Sequence, residues 1–219
     1  MNENYVKKLE AVIAKMLEPV KDVPFNIIIK SLSGCDVIPF NKRSKKDREL
    51  LSTLKKVADI AGKDINNNPI LRLRANEVGN DIEEYVKRAL LDIGYRAEIP
   101  TCRSGKRKST GYPDIIFYDK FDRPNYLECK TYSEESRFTT FRSFYFSPSD
   151  DFKVTLDAHH LVVSYKIYVA GRSRNKNIYK TKGWKILSIE NLLCDVKHEF
   201  NSDNLRLYSE ELVLAEGSL

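Results

Sequence analysis

Gly111-Tyr112-Pro113-Asp114-Ile115-Ile116-Phe117-Tyr118 and, after a gap of seven residues, Tyr126-Leu127-Glu128-Cys129-Lys130-Thr131-Tyr132 are the two runs of this sequence that decide its fold. Both runs are rich in aromatic and β-branched residues, which favour strands. Within this gap, residues 119–124 are polar and turn-prone. The two runs therefore predict a pair of antiparallel strands that are neighbours in a sheet.

Three charged residues of these strands have the spacing of a metal site. Residues two apart in a strand point to the same face, so Glu128 and Lys130 project together and Cys129 points to the other face. Asp114 lies where the first strand begins, because Pro113 tends to end ladder pairing. Two neighbouring carboxylates favour a divalent cation, and oxygen-only ligation suits Mg²⁺ or Mn²⁺. A lysine beside them can hold a water molecule or stabilise charge on a phosphate oxygen.

This arrangement resembles the PD-(D/E)xK nuclease superfamily. The matching residues are Pro113, Asp114, Glu128 and Lys130, and the resemblance covers residues 74–169, where an amphipathic helix and a strand precede the hairpin. It implies an α/β fold: a mixed central sheet flanked by helices, here with an α-helical N-terminal extension. It also implies that Asp114 and Glu128 bind Mg²⁺, with Mn²⁺ as a substitute, and that Lys130 lies next to the attacking water.

The resemblance implies a function as well. It predicts a type II restriction endonuclease that hydrolyses double-stranded DNA and leaves 5′-phosphate and 3′-hydroxyl ends. A palindromic target needs two copies of the site, so we expect a homodimer. Alternatives are a junction resolvase or repair nuclease with the same core, a non-catalytic DNA-binding module, and an RNA-processing protein. The complete set of aspartate, glutamate and lysine argues against the non-catalytic module.

A further carboxylate is expected from the preceding helix, where members of the superfamily often place one. Glu83 borders the apolar stripe of this helix and should face the sheet, whereas Glu84 should point to solvent. Glu77 is the second candidate, although a carboxylate near a helix start can simply interact with the helix dipole. We therefore assign Glu83 as a catalytic residue and keep Glu77 as the alternative.

Basic residues near these strands predict contacts to DNA, because Lys and Arg neutralise phosphates. A loop directly before Pro113 has four cations, a second group flanks an aromatic segment, and a third lies in a polar turn. A solvated basic loop is the competing interpretation. The candidates are Arg103, Lys106, Arg107 and Lys108, then Arg137, Arg142 and Lys153, then Arg172 and Arg174.

Periodicity predicts the remaining elements. We expect helices over residues 5–17, over 45–61 with Ser44 as N-cap and Gly62 as terminator, and over 82–93 before Gly94. Further strands are expected over 95–99, 161–169 and 184–189, with a short helix over 189–196. Residues 22–36 are mixed, with one short apolar run at 25–29. The turn-rich connector 66–69 suggests a helical extension over 1–70 and a nuclease core over 71–219, integrated as one domain.

Composition limits the class of protein. Thirty-seven Lys and Arg against thirty-one Asp and Glu give a net charge of +6, which suits a polyanionic partner but supports DNA only weakly. There is no apolar run of membrane-spanning length and no signal peptide, so we expect a cytoplasmic protein with no membrane partner. The four scattered cysteines are expected to be reduced and mostly buried. His159 and His160 are expected to be structural or to contact phosphate, and no Ser or Cys lies in a nucleophile motif.

Overall fold

The structure is a computed structural model, and it describes residues 2–108, 110–133, 144–198, 202–207 and 209–215. The chain divides into two compact units: residues 1–23 together with 193–219, and residues 24–192. In the first unit the Val196 amide donates to the Val20 carbonyl at 2.8 Å, and the Asp22 amide donates to the Asp195 carboxylate at 3.1 Å. The predicted division at residue 70 stays a prediction.

Helices and strands alternate along the described chain. The α-helices are α1 Glu3–Met16, α2 Phe25–Ser33, α3 Lys45–Asn67, α4 Val78–Asp92 and α5 Asn204–Leu207, with 3₁₀ turns at Ala75–Glu77 and Glu210–Leu212. The strands are β1 Val23–Pro24, β2 Ile70–Arg72, β3 Ala97–Glu98, β4 Ile115–Tyr118, β5 Pro124–Tyr132, β6 His159–Ser173, β7 Lys176–Ser188 and β8 Leu193–Cys194.

One six-stranded sheet forms the centre of the larger unit, in the order β2-β7-β6-β5-β4-β3. β5 and β6 run parallel, and the other neighbours are antiparallel. β4 and β5 are paired with Ile115 opposite Leu127, which confirms the predicted hairpin. The predicted mixed sheet with flanking helices is therefore confirmed.

Helices α3 and α4 cover one face of this sheet, and we call it the helix face. Their apolar stripes pack on Leu127, Cys129, Val163 and Tyr165 to make the main hydrophobic core. α3 does not end at Gly62 as predicted but continues to Asn67. A Cβ at Gly62 would lie 3.4 Å from Cε1 of Tyr165, so this glycine lets the helix approach the sheet closely instead of ending it.

The opposite face has a smaller aromatic cluster near one end. Phe25, the first residue of α2, contacts Tyr112 and His160 edge-on at centroid distances of 5.6 and 5.4 Å. Tyr126 lies 5.0 Å from His160. The sequence prediction missed α2, because a single apolar run over residues 25–29 is too short to show a helical period.

Two other features correct or complete the sequence prediction. Residues 189–196 form a turn and the short strand β8 rather than a helix. The Glu190 and Leu192 carbonyls accept hydrogen bonds from the Asn26 and Phe25 amides, at 3.1 and 2.9 Å, instead of from amides four residues further along the chain. In the described part of the chain, no helix has both the length and the apolar character needed to cross a membrane.

Candidate active site

Asp114 lies directly before β4, and the β4–β5 register, extended by one residue, places it opposite Glu128. Its Oδ2 accepts a hydrogen bond of 2.7 Å from the Cys129 amide, which ties the carboxylate to β5. Burial raises the pKa of Asp114, while this hydrogen bond and the charges of Lys130 and Lys153 act in the opposite direction. The hairpin thus brings together the two carboxylates that the sequence singled out.

Glu128 and Lys130 share one face of β5, as strand periodicity predicts. Lys130 Nζ lies 2.6 Å from Oε1 of Glu128, while Cys129 points into the core of the helix face. Oε2 of Glu128 is buried and has no hydrogen-bond partner among the described residues. Burial, and then repulsion by Asp114, raises the pKa of Glu128 to about 7. Burial lowers the pKa of Lys130, but attraction by Glu128 outweighs it, so the net shift is upward.

Glu83 is the third carboxylate at this place. It projects from α4, and its pKa is raised to about 7 by burial and then by repulsion from Asp114 and Glu128. Glu77 lies in the 3₁₀ turn before α4, where its charge helps to raise the pKa of Arg72. The structure therefore brings Glu83 to the two strand carboxylates. We call Glu83, Asp114, Glu128 and Lys130 the carboxylate site.

Lys153 is a buried residue that the sequence prediction placed wrongly at the protein surface. It is 3 % exposed, and its Nζ donates to the carbonyl oxygens of Gly111 at 2.7 Å and Pro113 at 3.1 Å. Burial lowers its pKa, although Asp114 and Glu83 act to raise it. The signal that could have revealed this position is its flanking by two buried apolar residues, Phe152 and Val154. Such burial leaves no surface for a phosphate contact.

The carboxylate site suits a cation that takes few protein ligands. Among the described residues, no group of three or more His, Cys, Asp or Glu side chains is arranged to hold a metal ion. Mg²⁺, however, is usually bound by one or two carboxylates and keeps several waters. The Oε2 of Glu128, which has no partner among the described residues and lies near the half-buried carboxylate of Asp114, is the kind of ligand such an ion takes. The donor set therefore fits Mg²⁺ or Mn²⁺ and not a closed zinc site.

Comparison with known proteins gives the family. The family model for type II restriction enzyme MjaV matches residues 19–211. The chain belongs to this family of restriction enzymes. It is 35% identical over 233 residues to the type II restriction enzyme MjaV of Methanocaldococcus jannaschii, and the match covers 100% of this chain and 99% of that protein. No solved structure matches the chain. The prediction of a type II restriction endonuclease is thereby confirmed.

The basic loop of this restriction endonuclease is already partly paired. The Arg103 guanidinium donates to the Ser33 carbonyl, and Arg107 pairs with Glu98. Lys108 Nζ lies 2.9 Å from Oδ2 of Asp151. Lys106 is exposed and, like Arg103, has no ion pair with a carboxylate of the described residues.

The other predicted DNA contacts fall in different places. Arg172 is exposed near the end of β6, and Arg174 lies in the following turn with φ of 53°. Arg137 and Arg142 lie outside the described residues. Contact with DNA by any of these residues stays a prediction.

His159 and His160 are structural, and neither reaches the surface. His160 Nδ1 lies 2.6 Å from the Tyr112 hydroxyl, and burial lowers its pKa to about 3, so the ring is neutral. His159 Nδ1 lies 2.9 Å from the Ile38 carbonyl. His159 is 2 % exposed and His160 is 1 % exposed. The structural interpretation is therefore right, and a phosphate contact is wrong. All four cysteines are free; Cys102 and Cys129 are buried, and Cys35 and Cys194 are partly exposed.

Proposed function

We propose that this restriction endonuclease hydrolyses double-stranded DNA with Mg²⁺ at the carboxylate site. The observation that carries the proposal is the pairing of half-buried Asp114 with buried Glu128, whose Oε2 has no hydrogen-bond partner among the described residues and whose Oε1 lies 2.6 Å from Lys130 Nζ. A buried and a half-buried carboxylate on adjacent strands are costly as anions, and a divalent cation would relieve that cost. Family membership supports DNA as the substrate.

Each side chain of the site has a separate task in this reaction. Asp114 and Glu128 would hold the cation, with Glu83 as an additional carboxylate on the α4 side. When bound, Mg²⁺ would polarise the scissile phosphate and lower the pKa of a water molecule. Lys130, whose Nζ lies 2.6 Å from Glu128, would hold the water or stabilise charge on the phosphate. In-line attack would leave 5′-phosphate and 3′-hydroxyl ends.

We further propose that the enzyme acts as a symmetric homodimer on DNA. One carboxylate site cuts one strand, and two sites related by a twofold axis would cut both strands of a palindromic target. Sedimentation of the complex with duplex DNA should give two protomers per duplex. A complex with one protomer that still makes double-strand breaks would contradict this proposal.

The metal requirement is tested on a large unmodified DNA. EDTA should abolish cutting, Mg²⁺ or Mn²⁺ should restore it, and Ca²⁺ should support binding with little cleavage. Cleavage in EDTA at the rate seen with Mg²⁺ would remove the cation from the proposal. Sequencing of the ends would give the target and the positions of the cuts.

The assignment of residues is tested by Asp114→Asn, Glu128→Gln and Lys130→Ala. Each should lose at least about a hundredfold in single-turnover cleavage, equivalent to about 2.7 kcal/mol of transition-state stabilisation. DNA binding should survive in all three, because these side chains do not read bases. If Asp114→Asn or Glu128→Gln cut at the parental rate, the carboxylate site would not be the catalytic centre.

A further inference from the structure

Beyond Lys130, the sheet face opposite the helix face carries a set of lysines and tyrosines. Register and strand periodicity define this set. Lys130 is opposite Ser164 on β6, and Ser164 is opposite Lys185 on β7, so the three side chains share one face. Two residues further along, Tyr132 is opposite Lys166. The next residue on this face of β6 is Tyr168, which is opposite Lys180.

Ring contacts support this assignment to one face. Lys185 Nζ lies 5.1 Å from the centroid of the Tyr132 ring. Lys182 has no partner in the β6–β7 register, because it falls at a register shift, but its Nζ lies 4.7 Å from the centroid of the Tyr168 ring. The residues between them point the other way: Tyr165 belongs to the main core, and the Trp184 indole donates to Asp59 of α3. We call the resulting group the lysine stripe; it consists of Tyr132, Lys166, Tyr168, Lys180, Lys182 and Lys185.

The lysine stripe has no acidic residue of its own strands to neutralise it. β6 and β7 contain no Asp or Glu, and the acidic residue of β5 is Glu128, at the carboxylate site. Among the described residues, no carboxylate forms an ion pair with Lys180, Lys182 or Lys185. Lys182 is exposed, and Lys180 and Lys185 are partly exposed. Within the described residues, the part of the sheet around Lys180, Lys182 and Lys185 is therefore positive, and it lies on the same face as Lys130.

Its dimensions match a short length of duplex. Tyr168 is four residues beyond Ser164 on β6, and at about 3.3 Å per residue the stripe extends about 13 Å away from Lys130. Successive nucleotides of one DNA strand rise about 3.4 Å, so this length corresponds to roughly four of them. Lysines are compact point charges suited to phosphates, whereas bidentate reading of a guanine edge is commonest with arginine.

We propose that the lysine stripe binds the phosphate backbone of the DNA that flanks the phosphodiester at the carboxylate site. The occupant is duplex DNA, because Lys180, Lys182 and Lys185, which form no ion pair with a carboxylate of the described residues, complement a polyanion beside the carboxylate site. The proposal rests on the proposed function for the position of the scissile bond. Its contribution is to affinity on any sequence, since phosphate contacts carry no base information.

The test compares two double substitutions that remove the same charge. Lys182→Ala/Lys185→Ala alters the lysine stripe, and Lys55→Ala/Lys63→Ala alters exposed lysines of α3, on the opposite side of the sheet. Binding of the full-length protein to a 30-bp duplex of mixed sequence is measured in EDTA between about 50 and 200 mM salt. The slope of log affinity against log salt should become shallower by about 0.9 for each lost phosphate contact, thus by about 1.8 for the stripe variant.

The control variant should keep the parental slope. Equal slopes for the two variants would overturn the proposal, as would a loss confined to a 30-bp RNA duplex used in parallel, which would assign the stripe to RNA. Because the titration contains no divalent cation and involves no cleavage, it succeeds or fails independently of the carboxylate site. Asp114→Asn in the same titration should keep the full salt slope even though cleavage is lost.

Discussion

Lys153 and Pro113 are joined by a hydrogen bond of 3.1 Å from the buried ammonium to the proline carbonyl, across a separation of 40 residues. The same ammonium donates to the Gly111 carbonyl at 2.7 Å. Both carbonyls belong to the loop that leads directly into Asp114. Lys153 thus holds the loop that positions one of the two strand carboxylates, and it does so without contact to solvent.

The substitution Lys153→Met tests whether Lys153 acts by holding the loop or only by placing a positive charge near the carboxylates. Removing a nearby positive charge should by itself strengthen cation binding, whereas freeing the loop should weaken it. We expect the loop to dominate, with a rise of roughly tenfold in the Mg²⁺ concentration for half-maximal cleavage and a fall of ten- to a hundredfold in rate, the range seen for supporting residues around metal sites.

Lys153→Arg and Lys106→Met serve as the comparison for this substitution. Arginine keeps the charge and several hydrogen-bond donors. The Mg²⁺ concentration for half-maximal cleavage should therefore be closer to the parental value in Lys153→Arg than in Lys153→Met. The exposed Lys106 has no such contacts, and its loss should leave half-saturation by Mg²⁺ unchanged. If Lys153→Met bound Mg²⁺ more tightly than the parent, the lysine would act through its charge and not through the loop.

Glu83 and Glu84 are adjacent on α4 but differ in surroundings, so they form a matched pair. Glu84 is 64% exposed at its side chain and pairs with Lys87 at 2.7 Å, one turn along the helix. Glu83→Gln should lower single-turnover cleavage by at least about tenfold, a loss of about 1.4 kcal/mol. Glu84→Gln should stay within about twofold, because exposed ion pairs contribute little. Equal rates for the two variants would exclude Glu83 from catalysis.

The raised pKa of Glu128 predicts how pH affects stability without metal. The pKa is about 7 in the folded protein against a usual value of 4.5, so between these pH values the folded state binds more protons than the unfolded state. The contribution of Glu128 to the free energy of unfolding therefore decreases as pH rises from 4.5 to 7. In EDTA, the free energy of unfolding of Glu128→Gln relative to that of the parent should therefore increase over this pH range.

Thermal melts at pH 5 and pH 8 measure this difference. Glu128→Gln should melt above the parent at pH 8, by roughly 2–4 °C for each kcal/mol gained, and by much less at pH 5. Mg²⁺ should raise the melting temperature of the parent more at pH 8 than at pH 5, because protons compete with the cation. A constant difference between variant and parent at all pH values would show that the glutamate titrates normally.

The basic loop contains two lysines that should respond differently. Lys106 is exposed, whereas Lys108 pairs with Asp151, whose pKa falls to about 2 through hydrogen bonding by Ser104 and Lys108. Lys106→Ala should make the salt slope of DNA binding shallower by about one unit if it contacts a phosphate. Lys108→Ala should have a smaller effect, because it also releases a carboxylate. An unchanged slope for Lys106→Ala would place this loop away from the duplex.

Local pattern was enough to predict the hairpin and its three charged residues. Strand periodicity puts Glu128 and Lys130 on one face whatever the strands pack against, and the short connection between β4 and β5 makes their pairing almost obligatory. Helix α4 was predicted for the same reason, since the helical period of its apolar residues can be read from its own sequence without reference to the elements that it packs against. The end of α3 was predicted wrongly at Gly62. A glycine that allows close packing against Tyr165 cannot be distinguished in the sequence from a glycine that ends a helix.

The sequence by itself determined the carboxylate pair, the lysine that we propose as catalytic and the class of fold, because all three depend on contacts within one hairpin and on short-range periodicity. Only the tertiary structure decided that Glu83 and not Glu77 approaches Asp114, that Lys153 is buried under the Gly111–Pro113 loop, and that the lysines of β7 line up with Lys130. These relationships join residues tens of positions apart. They depend on how α4 packs and on the order of the strands in the sheet, and no local pattern encodes either.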